Sequence, residues 1–332
     1  MSTAEAPATR RGSRRVEVAD LVDRARAADP RAVARLISLV EDASPLLREV
    51  AAALTPHAGK ARVIGLTGSP GVGKSTSTSA MVTALRRRGS RVGVLAVDPS
   101  SPFSGGALLG DRVRMQDHAT DGGVFIRSMA SRGHLGGLSW ATPQAIRVLD
   151  AAGCDVVLVE TVGVGQAEVQ VASAADTTVV LLAPGMGDGI QAAKAGILEV
   201  ADVFVVNKAD REGADQTVRD LRYMQSLGGR HSEAGAWRPP IVKTVASRGE
   251  GTDEVLAAMD KHADWLERSG EGDRRRRGRA AGEVEAIALS ALRERIGDLH
   301  GSAALDSLAA RVVDGEVDPY AAADELVATV TG

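Results

Sequence analysis

Residues 62–76 read Arg62-Val63-Ile64-Gly65-Leu66-Thr67-Gly68-Ser69-Pro70-Gly71-Val72-Gly73-Lys74-Ser75-Thr76. An apolar run of strand length gives way to a glycine-rich loop, and a segment of helical length follows. From Gly68 to Ser75 the residues match G-x-x-x-x-G-K-[ST] at a strand-to-helix turn. Glycines let backbone N–H groups converge on phosphate oxygens, and the following helix N-terminus adds positive potential. In this reading Gly68, Ser69, Pro70, Gly71, Val72 and Gly73 cradle phosphates. Lys74 reaches the β- and γ-phosphates, the Ser75 hydroxyl serves Mg2+, and Thr76 completes the nucleotide-binding stretch.

Similar apolar runs recur at 92–97, 124–126, 156–159, 178–182, 203–206 and 241–245. Continuous apolar runs suit strands covered on both faces, as in a parallel sheet. Seven strands separated by helical lengths predict an α/β fold: a P-loop NTPase domain at 61–265 whose mostly parallel sheet is flanked by helices. An N-terminal helical extension is expected over 1–60. There Val18, Leu21, Val22 and Ala25, then Val33, Leu36, Ile37 and Val40, keep helical spacing, and Asp29-Pro30 reads as an N-cap followed by proline at the first helical position. A C-terminal helical arm is expected over 266–332. Its charged run at 271–279 reads as a linker or an exposed helix start. Helical spacing follows at Val284, Ile287, Ala288 and Leu292, at Leu305, Leu308, Ala309 and Val312, and again at 320–330. About 60 residues enclose little core alone, so this arm is expected to pack on the sheet domain or on another chain.

Composition narrows the function. The 332 residues carry 40 basic and 43 acidic side chains, so no global field favours nucleic acid or an anionic membrane. Three Phe, 2 Tyr and 3 Trp are too few for a base-stacking platform. The single cysteine, Cys154, excludes an intrachain disulfide and a cysteine-cluster metal site. No run approaches the ~18 apolar residues of a membrane span. Arg10-Arg11 and Arg14-Arg15 precede no apolar stretch, so no export signal is expected and the chain is placed in the cytoplasm.

The base is chosen by Asn207-Lys208-Ala209-Asp210, directly after the run at 203–206. A carboxylate at Asp210 can accept from both the N1–H and the 2-amino group of guanine. Adenine lacks that pair and would leave the acid unpaired. Asn207 would hold the loop, the Lys208 stem would lie over the ring, and Ala246 and Ser247, after the last strand, are placed for the guanine carbonyl. Glu160-Thr161-Val162-Gly163 ends another strand. Glu160 there can hold a magnesium-bound water, and Gly163 can offer its N–H to a γ-phosphate. Asp98 ends the strand at 92–97 and Asp111 follows a glycine-rich loop; an ordinary loop cap is the alternative reading for each, and weighs more for Asp111 than for Asp98 on local sequence. Lysine is scarce, with six in the chain, which draws attention to Lys194 in the glycine-rich stretch 187–194, although a plain loop before an exposed helix reads as well. No glutamine directly follows Gly163. Gln166 and Gln191 are the candidates to orient water, and slow intrinsic hydrolysis is the expectation.

Together these motifs resemble the MeaB/ArgK-type GTPases, chaperones of adenosylcobalamin-dependent methylmalonyl-CoA mutase. The carrying segments are GLTGSPGVGKST at 65–76, AVDPSSP at 96–102, GDRVRM at 110–115, VETVGVGQAE at 159–168, the stretch 185–210 and TVAS at 244–247. The resemblance implies a homodimer joined through the C-terminal helices. It implies an acidic magnesium and water network of Asp98, Asp111 and Glu160, and a mobile switch containing Gln191 and Lys194 that reports nucleotide state to the mutase. It further implies that GTP binding and hydrolysis gate cofactor loading and protect or reactivate the mutase. Names in the family also include an arginine/ornithine transport kinase, but no residues here mark a protein-kinase site.

Three other readings are weighed. A GTP-dependent nickel-type metallocentre chaperone needs a Cys/His cluster, whereas His57, His118, His134, His231, His262 and His300 are dispersed. A non-catalytic GTP-binding module has less need of the glycine hinges at 105–110 and 185–189. A targeting GTPase of the signal-recognition type would want a Met-rich or basic domain that is not seen.

Overall fold

A computed structural model describes residues 17–98, 116–118, 120–130, 141–161, 167–185, 199–227, 235–296 and 302–331. The chain divides into two compact units, 1–272 and 273–332. In the first, seven strands pair in parallel in the order β3-β2-β4-β1-β5-β6-β7. They are β1 (Arg62–Thr67), β2 (Val92–Asp98), β3 (Val124–Ala130), β4 (Val156–Thr161), β5 (Thr177–Leu182), β6 (Val203–Val206) and β7 (Ile241–Lys243). Each predicted strand is present. The last is shorter than its apolar run because Val245 leaves the ladder to bridge Glu250 in the antiparallel sense.

Strand residues alternate between two covered faces. On one, Ile64, Leu66, Val94, Leu158, Val179, Leu181 and Val205 meet α4 (Lys74–Arg87) and α8 (Thr252–Ser269). On the other, Val63, Leu95, Val97, Val157 and Val159 share a core with α1 (Val18–Arg26), α2 (Pro30–Glu41), α3 (Leu47–Leu54), α5 (Thr142–Ala151) and α6 (Ala167–Ala174). Helix α7 (Ala214–Leu227) covers Val180, Leu182, Phe204 and Val206 on β5 and β6. The N-terminal helices therefore lie in the same core as the sheet. Leu36 and Ile37, both at 0% exposure, are each worth about 1.5–3 kcal/mol of burial. Asp29 caps α2 as its sequence suggests, its side chain accepting from Arg31 N at 2.9 Å with Pro30 in the first turn.

Two polar anchors hold helices to the sheet. The Asp150 carboxylate, at the end of α5, accepts from the backbone N–H groups of Gly59, Lys60 and Ala61, just before β1. At the amino edge of the sheet, His262 on α8 is fully buried. It lies 2.9 Å from Thr177 Oγ1 and 3.2 Å from Asp202 Oδ1, among the rings of Trp237 and Trp265. Cys154 is buried, and desolvation pushes its thiol up to about 11.

The run at 271–279 begins helix α9 (Glu271–Ile296), which from residue 273 onward belongs to the second unit and is followed there by α10 (Ala303–Val313) and α11 (Pro319–Thr331). Leu308, Ala322 and Leu326 form a small core there. Val284, Ile287 and Leu292 on α9 are more than half exposed. No helix among the described residues is long and apolar enough to cross a membrane.

Asp150→Ala leaves three backbone donors without their acceptor. The expected loss is about 1–3 kcal/mol in urea unfolding, with a lower thermal midpoint.

Candidate functional site

From β1 the chain winds through β2 to β3 on one side of the sheet, and from β5 through β6 to β7 on the other. The carboxyl ends of β1 and β5 flank this reversal, where open α/β sheets form a ligand crevice. The loop after β1, the end of β4 and the loops after β6 and β7 all reach this edge.

The loop 68–73 is shaped by close approach. Gly68 has φ +144°, and a side chain there would strike the Leu181 carbonyl. Gly73 has φ +94°, and a Cβ would lie 2.5 Å from the Asn207 amide nitrogen. Neither position accepts a side chain without moving its neighbour. Lys74 opens α4 and is 8% exposed. Its ammonium donates to the Gly68 and Ser69 carbonyls, at 2.5 and 3.2 Å.

One helical position later, the Ser75 hydroxyl donates to Glu160 Oε1 at 2.7 Å. Thr78, a turn further along the same helix face, donates to Glu160 Oε2 at 2.8 Å. Glu160 is 1% exposed at the end of β4, so a buried carboxylate is met by two hydroxyls of the phosphate-loop helix. Thr78 is absent from the sequence-derived set. Its i+3 spacing from Ser75 is the signal that points to it.

Asn207 ties the edge together. Its amide nitrogen donates to the Val72 carbonyl at 2.9 Å, while its oxygen accepts from Ala246 N at 3.0 Å and Thr244 Oγ1 at 3.1 Å. Lys208 adopts φ +56° and its ammonium donates to the Gly71 carbonyl at 2.6 Å. The loop after β6 is thereby fixed to the phosphate loop on one side and to the turn after β7 on the other. Asp210 follows, 3.7 Å from the Arg248 guanidinium. Ser247 is exposed, and its hydroxyl makes no hydrogen bond among the described residues.

Lys74, Ser75, Glu160, Asn207, Lys208, Asp210, Ala246 and Ser247 thus come to one edge of the sheet. Asp98 closes β2, the neighbour of β4 on that edge, with its backbone alone described. Asp111, Gly163, Gln166, Gln191 and Lys194 lie outside the described residues, as do the stretches 105–110 and 186–189. Among the described residues no three His, Cys, Asp or Glu side chains gather as a metal cluster.

A family profile described as methylmalonyl-CoA mutase-associated GTPase MeaB matches residues 33–299. A Pyrococcus abyssi protein carrying a GTPase name is 46% identical over 313 residues, covering 94% of this chain and 97% of its own. Escherichia coli GTPase ArgK is 38% identical over 258 residues, covering 76% and 78%. Among solved structures, one titled LAO/AO transport system kinase superposes with a TM-score of 0.71 at 27% identity, covering 95% of this chain and 98% of the other.

Asn207→Ala removes the bridge and strands the Val72 carbonyl and the Ala246 N–H. The expected cost is about 1–3 kcal/mol in denaturant unfolding. Faster amide exchange at Ala246 would accompany it, readable by hydrogen–deuterium exchange.

Proposed function

This chain belongs to the MeaB family of methylmalonyl-CoA mutase-associated GTPases, and from that premise we propose that it binds GTP across the carboxyl edge of its sheet. Hydrolysis there would gate adenosylcobalamin loading and protect or reactivate an acyl-CoA mutase in the cytoplasm, methylmalonyl-CoA mutase first among the candidates. The observation that carries the guanine-nucleotide site is the Asn207 bridge, which holds a phosphate cradle and a base-reading loop in one register.

In this reading the loop 68–73 wraps the phosphates, and Lys74 exchanges its two carbonyl partners for β- and γ-phosphate oxygens. Asp210 accepts from the guanine edge, Lys208 lies along the ring, and Ala246 and Ser247 line the guanine carbonyl. Hydrolysis joins a water oxygen to the γ-phosphorus and breaks its bond to the β–γ bridging oxygen. The products are GDP, phosphate and a proton. A P-loop GTPase uses Mg2+ with its nucleotide, and this chain's donors fit it: Ser75 Oγ and Glu160 are buried hard oxygens within hydrogen-bond distance of each other. When bound, the ion neutralises charge building on the phosphates. Ser75 would hold it directly and Glu160 through a water, with Asp98 and Asp111 completing the acidic set. Gly163 would face the γ-phosphate. Gln191 and Lys194 would belong to the segment that carries nucleotide state to the mutase, Gln191 being also a candidate to orient the water.

A homodimer joined by the C-terminal helices is part of the proposal. The exposed Val284, Ile287 and Leu292 on α9 support it, since apolar residues at that spacing ordinarily meet a partner.

Asp210→Asn turns one acceptor oxygen into a donor facing the base, so the GTP-over-ATP preference is expected to fall by at least about tenfold. Competition binding with both nucleotides reads this, and an unaltered preference would remove Asp210 from base selection. The partner is tested by GTP turnover with and without purified methylmalonyl-CoA mutase. Slow hydrolysis that accelerates when the mutase is added is expected. Turnover indifferent to it would leave the GTPase standing and remove this mutase as the partner.

A further inference from the structure

Arg248 has no part in the reading above, yet it is the charge that the structure brings to Asp210. Nη2 lies 3.7 Å from Asp210 Oδ2, and Nη1 lies 3.8 Å from Glu250 Oε1. Among the described residues no other side chain holds the Asp210 carboxylate. The guanidinium is carried by the 3-10 turn Ala246–Arg248. The same turn presents Ala246 N to Asn207, and it closes through Gly249 N donating to the Ala246 carbonyl. One short turn thus delivers both a backbone group beside the base pocket and a cation against the acid that reads the base.

We infer that Arg248 is a positioning residue for guanine recognition, holding the Asp210 carboxylate by one oxygen so that it stays turned toward the N1–H and 2-amino edge. The inference rests on the guanine-nucleotide reading of the site. A half-exposed aspartate rotates freely about its last bond, whereas guanine needs both oxygens in one plane at once. A guanidinium 3.7 Å from Oδ2 biases that rotation by charge rather than by a hydrogen bond, so the lone pairs of both oxygens stay open to the base. Arg248 also offsets Glu250, a second acid that would otherwise add repulsion toward a polyanionic nucleotide. The Arg248 and Asp210 side chains are 61% and 40% exposed, so the pair is screened by salt and worth little alone. Its effect appears where a guanine ring takes both oxygens.

The test compares the unaltered protein, Arg248→Ala and Arg248→Lys. Dissociation constants for GDP, IDP and ADP are measured by competition with a fluorescent guanine nucleotide, at about 50 mM and about 500 mM salt. IDP lacks the 2-amino group and makes one bond fewer to Asp210. Arg248→Ala is expected to weaken GDP by about two- to fivefold at low salt. IDP should weaken less and ADP not at all, so the GDP-over-IDP ratio falls. Arg248→Lys should recover part of the loss, and the gap between unaltered protein and Arg248→Ala should narrow at high salt. Equal losses for all three nucleotides would make Arg248 a structural residue and overturn the inference. Tighter GDP binding in Arg248→Ala would also overturn it, by making the guanidinium a competitor of the base. If the unaltered protein does not prefer GDP to ADP, the nucleotide reading falls and this inference with it. A preserved preference whose GDP-over-IDP ratio is untouched by Arg248→Ala removes the role of Arg248 alone.

Discussion

The Asn207 side chain, 3% exposed, connects three loops that come from distant parts of the sequence: residue 72 after β1, residue 207 after β6, and residues 244 and 246 after β7. An amide suits this place because it alone among small side chains offers a donor and an acceptor on one rigid plane. Aspartate would set a negative oxygen against the Val72 carbonyl, and leucine would leave every partner unsatisfied in a dry setting. Gly73 belongs to the same constraint, since any Cβ at that position would press on the Asn207 nitrogen. The spacing between the loop after β1 and the loop after β6 is therefore held by the Asn207 amide, by the Lys208 contact to Gly71, and by the missing methyl group at Gly73.

That arrangement needs a platform that does not move, and the parallel sheet supplies it. Its central strands are buried on both faces and their register is continuous from β3 to β7. The loops at their carboxyl ends thus start from fixed points about one strand spacing apart. The far edge is tied as firmly. Asp202 accepts from Thr178 N, receives Trp237 Nε1 at its carbonyl and lies beside His262, so the base of α8 is held to the starts of β5 and β6. The other end of that helix begins at Thr252, beside the turn after β7.

The central strands were legible because each carries a continuous apolar run buried on both faces, which removes the alternation that could have disguised them; the edge strands β3 and β7 are less covered and carry Arg127 and Lys243. The phosphate loop was legible because its glycines are demanded by backbone geometry, a constraint written in consecutive residues. Asn207 could be read from its place directly after the apolar run of β6, where its amide bridges the loops after β1 and β7. Thr78 and Arg248 were not legible, because what sets them apart is what faces them: Glu160, 82 residues away, and Asp210 in another loop. A threonine within a helix and an arginine after a strand are unremarkable in sequence. Pairing across the fold is information that local spacing does not hold. The N-terminal helices show the same limit, since Val18 and Leu36 were readable as helical but not as part of the core containing Val63 and Val157.

Among the described residues, Lys74 donates to two carbonyls and Lys208 to a third, and Glu160 accepts from two hydroxyls. A nearly buried ammonium or carboxylate without such partners would cost several kcal/mol in desolvation and would destabilise the fold it belongs to. In the proposed function phosphate binding would consequently be an exchange, its net strength the difference between the new contacts and those given up. Carbonyl partners suit that exchange. They are neutral, so a phosphate anion offers the ammonium a stronger, charge-assisted bond than the one it leaves. In the proposed function the Ser75–Glu160 pair would follow the same logic with opposite sign, Ser75 turning to a divalent cation directly and Glu160 through a water. The internal partners let the site fold on its own, and in the proposed function a nucleotide phosphate with its metal ion would replace them.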